Sequence, residues 1–199
     1  MTILYSCLSQ SWGGMEMFTI QAVQQLLSRG IHTELLCYPN SKIHEEAKKL
    51  NIVTYTAKQS GYFNFSELTK VARLLKSKQY SLIHTQASKD LWLLVPALKL
   101  TNLHTPLFLT KQVGSFVEKN DFLHKWLYNR ITAAFAISTI IKNNLLNTTP
   151  LTQNKILMLH NGVDTKRFDP AKVNREKARE ELNIADNDIV IGMLARFSP

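Results

Sequence analysis

Short apolar runs alternate with amphipathic segments along most of the chain, and each kind predicts a different element. The runs have few polar interruptions, which is typical of strands in a parallel sheet whose two faces are both covered. The predicted strands are Thr2–Cys7, 33–38, 53–56, 82–84, 107–110, 134–137 and Ile156–Met158.

The segments between these runs carry apolar residues at helical spacing. The first predicted helix buries one stripe, with Gly30 at its left-handed C-terminal position. Its stripe consists of Met15, Phe18, Ala22 and Leu26, with Thr19 and Val23 alongside. A second helix begins near Asn64, with Glu67 as a capping partner, and a third follows Ser138 as its cap. Their predicted buried residues are Leu68, Val71, Ala72 and Leu75 in the second and Ile141 and Leu145 in the third.

Strands that alternate with helices across short links predict right-handed βαβ units and an open α/β sheet with helices on both faces. Ligands of such sheets bind beyond the carboxyl ends of the strands. The residues that directly follow each predicted strand are therefore the candidates for ligand binding.

Composition supports a folded globular protein, with 45% hydrophobic and 20% charged residues among 199. Cys7 and Cys37 each lie inside an apolar run without a CxxC neighbour, so we predict buried, reduced thiols. The chain begins with a strand pattern and without a basic leader, and the apolar run 91–98 is too short to cross a bilayer. We therefore expect a cytoplasmic protein.

The net charge of +9 is consistent with a solvated basic surface. It is equally consistent with attraction to an anionic membrane face or to a phosphorylated substrate. We expect no nucleic-acid partner, because the chain has no zinc finger, RNA-binding signature or interleaved aromatic and basic residues.

Gly13 and Gly14 follow the first strand and precede a helix, where free N–H groups favour an anion. The simpler alternative is a tight turn without a ligand. The sequence is not GxGxxG, and Pro39-Asn40 stands where a ribose-binding acid would close the second strand. We therefore expect no dinucleotide cofactor.

Ser88, Lys89 and Asp90 follow the fourth strand. Ser88 could cap the next helix, Lys89 could pair with a phosphate, and Asp90 could accept a sugar hydroxyl. The simpler alternative is a cap with two solvated charges. His84, just before them, is expected to be a hydrogen-bonded histidine of the strand end.

Lys111 and Gln112 follow the fifth strand and are polar again. The histidines are scattered and form no HExxH pair, so no metal site is predicted. The chain also lacks a GxSxG elbow and a Walker lysine. These residues alone do not specify a reaction.

Several short motifs, in this order and spacing, resemble those of family-4 glycosyltransferases, and the resemblance covers essentially the whole chain. The motifs are Gly13-Gly14-x-Glu16, Ile83 to Trp92, Ala136-Ile137-Ser138, His160-Asn161-Gly162-Val163-Asp164 and Gly192 to Arg196.

The resemblance implies a GT-B architecture, in which two Rossmann-like domains face a cleft and the N-terminal one holds mainly the acceptor. It also implies transfer of a sugar from a nucleotide-sugar donor with retention of configuration, without a metal or other cofactor. Gly13, Gly14 and Arg196 would contact the donor phosphates. The residues implied on the acceptor side are Glu16, Gln86, Ser88, Lys89, Asp90, Lys111 and Gln112.

Two positions depart from the family pattern. Gln112 stands where many relatives carry histidine, and Gln86 where close relatives often do. Glutamine cannot act as a general base, so Gln112 is limited to hydrogen bonding.

The resemblance also divides the chain. Residues 1–165 would be the acceptor-side domain, and 166–199 a linker with the first elements of the donor domain. Asn161, Gly162 and Asp164 would form the seam. Because most of the donor domain would lie beyond Pro199, we expect residues 1–199 alone to fold but not to transfer sugar.

The last segment is predicted as a charged helix over 175–182 and an apolar strand over 189–195. A strand without its sheet is expected to be disordered, to pack on the first domain, or to pair with a second copy in a homo-oligomer.

The leading hypothesis is a glycosyltransferase that acts on a glycan or lipid-linked acceptor in cell-surface polysaccharide synthesis, such as lipopolysaccharide, at the inner face of the membrane. Two alternatives stay open. One is a GT-B nucleotide-sugar epimerase, and the other is a non-catalytic α/β binding or interaction domain.

Overall fold

The computed structural model describes residues 1–59 and 64–193. Its strands are β1 (Thr2–Cys7), β2 (His32–Cys37), β3 (Thr54–Thr56), β4 (Leu82–Thr85), β5 (Leu107–Lys111), β6 (Ala133–Ala136) and β7 (Ile156–Met158). Its helices are α1 (Gly14–Ser28), α2 (Lys42–Lys49), α3 (Phe65–Lys78), α4 (Leu91–Leu100), α5 (Phe122–Asn129), α6 (Thr139–Thr148) and α7 (Arg175–Glu181). Short 3-10 turns span Ser88–Asp90, Gln153–Lys155 and Pro170–Lys172.

The strands form one parallel sheet in the order β3-β2-β1-β4-β5-β6-β7. This confirms the predicted open α/β sheet, and each of the seven strands predicted within residues 2–158 is found within one residue of its expected ends. The chain moves outward from β1 to β3, returns to β4 beside β1, and then moves outward on the other side. The order therefore reverses between β1 and β4, which leaves a crevice at the carboxyl ends of these strands.

Along each strand the side chains alternate between the two faces of the sheet, so apolar residues lie on both faces. Helices cover both of these faces. On one face, Ile3, Tyr5 and Cys7 of β1 pack in an apolar cluster with residues of α1 and α2. On the other face, Leu4 belongs to a larger cluster with residues of α3, α4, α5 and α6. Cys7 and Cys37 are buried free thiols, as predicted.

The predicted helix signals are present. The Asn64 side chain accepts a hydrogen bond from the Glu67 amide at 3.2 Å, and the Ser138 hydroxyl accepts one from the Ile141 amide at 3.3 Å. Gly30 has a positive φ of 76° after α1. These short-range signals depend on neighbouring residues only, so the sequence was sufficient to place them.

The buried stripe of α1 agrees with the predicted one in part. The predicted Thr19 and Val23 are buried, together with Glu16 and Ile20, whereas the predicted Met15, Phe18, Ala22 and Leu26 are only half-buried. The Glu16 carboxylate is turned back to the N-terminus of its own helix.

The chain divides into two compact units, Met1–His160 and Asn161–Pro199. This division falls five residues before the predicted one at 165/166, and the functional roles assigned to the two parts stay predictions. Among residues 161–193 no side chain is buried. In the described part of the chain, no helix is long and apolar enough to span a membrane.

The strand predicted over 189–195 is absent from its described part, 189–193, although helix α7 forms as expected. A strand is stabilised by hydrogen bonds to a neighbour, and no described segment pairs with 189–193. The partner that would cover this apolar segment stays a prediction.

Candidate functional site

A cleft of about 750 Å³ opens at the carboxyl ends of β1, β4 and β5, within the unit Met1–His160. Three loops build it, because parallel strands bring their carboxyl ends to one edge of the sheet. Its lining consists of residues 8–11, 86–90 and 111–113, with Met15, Gln59, Trp92 and Lys119.

The predicted site residues divide into three groups. Those brought together in the cleft are Gln86, Ser88, Lys89, Asp90, Lys111 and Gln112. Those that do not line it, although they belong to the same unit, are Gly13, Gly14 and Glu16. Asn161, Gly162 and Asp164 belong to the second unit, and Arg196 lies outside the described residues.

Asp90 is fully buried beneath the floor of the cleft. Its carboxylate accepts hydrogen bonds from the hydroxyls of Ser6 at 2.7 Å and Thr85 at 2.9 Å. The amide of Leu8 donates to the same carboxylate at 3.3 Å. Burial raises the pKa of Asp90 to about 6, although these donors favour the charged form. One carboxylate thus joins the ends of β1 and β4.

This burial corrects two expectations for Asp90. A solvated charge and a direct acceptor for a sugar hydroxyl both require an accessible carboxylate, and Asp90 is 0% exposed. A sequence cannot show this, because Ser6 precedes Asp90 by more than eighty positions. The structure makes Asp90 a residue that positions the loops of the cleft.

Ser88 does not cap the following helix as predicted. It lies in a short 3-10 turn without a side-chain cap, and its hydroxyl instead accepts a hydrogen bond from Lys111 Nζ at 3.2 Å. The turn tightens the backbone before α4, which carries the serine away from the capping position. The bond joins the β4 loop to the end of β5.

Lys111 is half-buried in the cleft. Burial, together with repulsion from the Lys119 ammonium, lowers the pKa of Lys111 to about 8. Burial also lowers the pKa of Lys119, and the charge of Lys89 lowers it further. The three side chains therefore form one positively charged group, which we call the lysine cluster: Lys89, Lys111 and Lys119.

Gln86 and Gln112 meet across the cleft, where the Gln112 amide donates to the Gln86 Oε1 at 3.2 Å. This agrees with the expectation that Gln112 acts through hydrogen bonds. Gln86 is almost completely buried, and its Nε2 has no hydrogen-bond partner. A buried donor without an acceptor is costly, so it marks a place where a ligand oxygen would be stabilised.

The glycine loop caps the start of α1, and its contact with the donor phosphates stays a prediction. The Glu16 carboxylate accepts a hydrogen bond from the Gly13 amide at 2.9 Å, which satisfies an orphan donor at the start of α1. The expectation that Glu16 binds the acceptor is corrected, because its side chain is 3% exposed and is turned to this cap. A Cβ at Gly14 would meet no atom within 4 Å, so packing alone does not require glycine there.

His84 is a hydrogen-bonded strand histidine, as expected. Its Nε2 lies 2.7 Å from the Thr110 hydroxyl on β5. Burial lowers the pKa of His84 to about 4, so the ring is neutral at physiological pH. The ring does not line the cleft.

Of the residues of the predicted seam, Asp164 caps a local turn over residues 165–168. The Asp164 carboxylate accepts hydrogen bonds from the amides of Lys166 and Arg167 at 3.0 and 3.1 Å. Asn161 and Gly162 are exposed. Among the described residues, no group of three or more histidine, cysteine, aspartate or glutamate side chains could hold a metal ion.

Sequence reasoning missed Lys119 and the pair of hydroxyls on Ser6 and Thr85. Lys119 comes eight positions after β5, so the search directly behind each strand did not reach it. The signal that could have found it is the long polar loop between β5 and α5, since loops at the carboxyl edge carry ligand-binding residues.

With this geometry in place, comparisons with known proteins identify the family. The model of Glycosyltransferase Family 4 matches residues 12–167, well over half of the chain. The chain belongs to glycosyltransferase family 4. No protein with a curated description matches it.

Solved structures agree on the fold of this family-4 chain. A glycosyltransferase from Rickettsia africae has a TM-score of 0.76 at 24% identity, over 94% of this chain and 50% of that one. HepE from Anabaena, in complex with UDP and glucose, has a TM-score of 0.65 at 17% identity, over 92% and 50%. The apo form of the lipopolysaccharide outer core galactosyltransferase WaaB has a TM-score of 0.61 at 16% identity, over 82% and 46%.

The chain thus spans about half the length of these solved glycosyltransferases. Its sheet is the Rossmann-like half of a GT-B fold, as the motif resemblance implied. Identities at this level support the fold, whereas the site must be argued from its own residues.

Proposed function

We propose that the whole protein is a glycosyltransferase that moves a sugar from a nucleotide-sugar donor to an acceptor held in the cleft of Met1–His160. The observation that carries the proposal is the cleft itself, at the carboxyl edge of the sheet in a chain of family 4. The complexes of HepE with UDP and UDP-glucose support a nucleotide-sugar donor.

The acceptor would be a glycan or a lipid-linked glycan of the cell surface. WaaB, which shares the fold, is a galactosyltransferase of the lipopolysaccharide outer core. The cleft offers amides, hydroxyls and ammonium groups, which suit the hydroxyl-rich and charged surface of such glycans.

The cleft residues would position the acceptor and not deprotonate it. Asp90 is the one carboxylate among the described lining residues, and its oxygens are held by Ser6, Thr85 and Leu8. Stabilisation of the leaving diphosphate would come from the donor side, where the resemblance places Arg196. We propose that transfer occurs with retention and without a metal cofactor.

The same unit carries an exposed apolar patch beside the cleft. The patch consists of Val113, Phe116, Val117 and Phe122. These side chains lie in or next to the loop that also bears Lys119, and the net charge of the chain is +9. Apolar side chains with nearby lysines favour the surface of an anionic membrane. We propose a peripheral contact at the cytoplasmic face of the membrane, where a lipid-linked acceptor would be found.

Transfer is tested with the whole natural protein, nucleotide-sugars and a series of truncated surface glycans, with product followed by mass spectrometry. We expect a new glycosidic product, lost when the donor is omitted, and no product from residues 1–199 alone. Conversion of the donor to its epimer without an acceptor would support the epimerase alternative instead. No turnover with any donor would support the binding domain.

Membrane contact is tested by sedimentation of the chain with vesicles of phosphatidylglycerol and phosphatidylcholine. We expect binding that weakens with salt and falls strongly in Phe116→Ser/Phe122→Ser. The matched control is Phe65→Ser, which removes another exposed phenylalanine outside the patch. Equal binding to neutral vesicles, or an equal loss in the control, would contradict the contact.

A further inference from the structure

The lysine cluster is a concentration of like charge without visible compensation. Among the described residues, none of Lys89, Lys111 and Lys119 forms a salt bridge. Asp90 is adjacent to Lys89 in sequence, but its carboxylate is buried and accepts hydrogen bonds from Ser6 and Thr85. Elsewhere lysines such as Lys42 and Lys78 do pair with glutamates.

Such a cluster opposes folding, because like charges repel and Lys111 loses hydration by burial. The lowered pKa values of Lys111 and Lys119 express this cost. The Ser88 hydroxyl satisfies one donor of Lys111 but brings no negative charge. A bound anion would remove the repulsion.

A second, independent observation points to the same ligand. Gln86 Nε2 is a buried donor without a partner, and Gln86 lines the cleft together with the lysine cluster. The other end of this amide is held by Gln112, so its orientation is fixed by a hydrogen bond. An oxygen-rich group in the cleft could accept from this amide and from the ammonium groups at once.

We propose that the lysine cluster and Gln86 bind a phosphate ester or diphosphate group of the acceptor. This rests on the proposed function and narrows its substrate class to phosphorylated glycans or glycosyl phosphates. A phosphate group has several acceptor oxygens and close to two negative charges, which matches three cations and a neutral donor better than a carboxylate does.

The donor also contains a diphosphate, so the test separates the two sources. Calorimetric titration of the 199-residue chain uses pyrophosphate, glucose 1-phosphate, glucose and UDP as probes, at low salt and pH 7. We expect binding of pyrophosphate and glucose 1-phosphate and none of glucose. UDP should bind no more tightly than pyrophosphate, because the proposal assigns no role to uridine.

Variants then place the site. Lys111→Met and Lys119→Met should each lower the affinity for pyrophosphate about tenfold or more, as expected for loss of a charge-assisted hydrogen bond. Gln86→Glu should weaken it similarly, because a carboxylate repels the anion. Lys111→Arg keeps the charge and should retain most binding. The matched control is Lys99→Met, which removes the same charge from an exposed lysine in the last turn of α4 that does not line the cleft.

Circular dichroism of each variant establishes that it is folded before affinity is compared. An equal loss in Lys99→Met would show that net charge alone attracts the anion, and would overturn the proposal. So would equal binding of glucose and glucose 1-phosphate. Binding of UDP much more tightly than pyrophosphate would also overturn it, since recognition of the nucleotide would make the site the donor's.

This test does not depend on turnover. Failure of the anion to bind, in a protein that still transfers sugar, would overturn only the phosphorylated acceptor. Anion binding with the expected variant pattern, in a protein that transfers no sugar, would support the phosphate site and contradict the glycosyltransferase proposal.

Discussion

The two compact units use similar residues to very different effect. Leu94 lies in α4 of the first unit and is 0% exposed, whereas Leu182, directly after α7 in the second unit, is 68% exposed. Both occur in helical sequence patterns with apolar and polar residues. In Met1–His160 the helices pack on the sheet, whereas in 161–193 no described side chain is buried. The difference shows that an apolar side chain is stabilising only where a neighbouring element removes it from water.

The carboxylates show the same contrast. Asp90 and Asp188 each accept a hydrogen bond from a backbone amide, Leu8 in one case and Ala185 in the other. Asp90 is buried and also accepts from two hydroxyls, whereas Asp188 is exposed. The buried Asp90 therefore links the ends of two strands, whereas the exposed Asp188 bonds to a residue three positions before it.

The largest effect on the free energy of unfolding is expected at Leu94, with Leu182 as the matched control. Leu94→Ala should lower the free energy of unfolding by roughly 3 to 4 kcal/mol, because it leaves a cavity in a closely packed core. Leu182→Ala should change it by less than about 0.5 kcal/mol. Urea unfolding followed by circular dichroism measures both. Similar losses at the two positions would remove the contrast between the units.

The second-largest effect on the free energy of unfolding is expected at Asp90, with Asp188 as the matched control. Asp90→Ala leaves the Ser6 and Thr85 hydroxyls and the Leu8 amide buried without their acceptor, so we expect a loss of about 3 kcal/mol. Asp188→Ala should cost less than about 1 kcal/mol, because water replaces the exposed acceptor. The same urea titrations apply. A loss at Asp90 no larger than that at Asp188 would refute its linking role.

Titration of Asp90 should be visible in the pH dependence of stability. Its pKa is raised by burial from 3.8 to about 6, so between these values the native state holds a proton that the unfolded state has released. Stability therefore falls as pH rises through this window, by up to about 1 kcal/mol per pH unit.

The measurement is the difference between the wild type and Asp90→Asn across pH 4 to 7, since asparagine has no charge to bury. The stability of the wild type relative to this variant should decline as pH rises. A parallel profile for Asp90→Asn would mean that Asp90 is not the group that titrates.

The smallest effect concerns the second unit as a whole. A chain that ends at His160 should keep the melting temperature of the longer chain within about 2 °C, because residues 161–193 contain no buried side chain. Differential scanning calorimetry compares the two. A markedly lower melting temperature for the shorter chain would show that the second unit contributes to the core.

Much of the fold was predictable because its signals are local. The seven strands were recognised by their apolar runs, and α3 and α6 by the capping residues Asn64 and Ser138. The buried face of α1 was predicted in part, since Thr19 and Val23 are buried as expected whereas Glu16 and Ile20 were not in the expected stripe. The strand predicted at 189–195 failed in its described part because apolar sequence alone does not supply a pairing partner.

The sequence by itself determined the alternation of strands and helices, the polar residues at the carboxyl ends of β4 and β5, and the motifs of family 4. Tertiary structure alone decided which of those polar residues share a cleft, because contacts between β1, β4 and β5 join positions far apart in the chain. It buried Asp90 under Ser6, added Lys119 to Lys89 and Lys111, and left Gln86 Nε2 without a partner. The physical reason is that burial and electrostatic coupling depend on distances in space, which local sequence patterns do not contain.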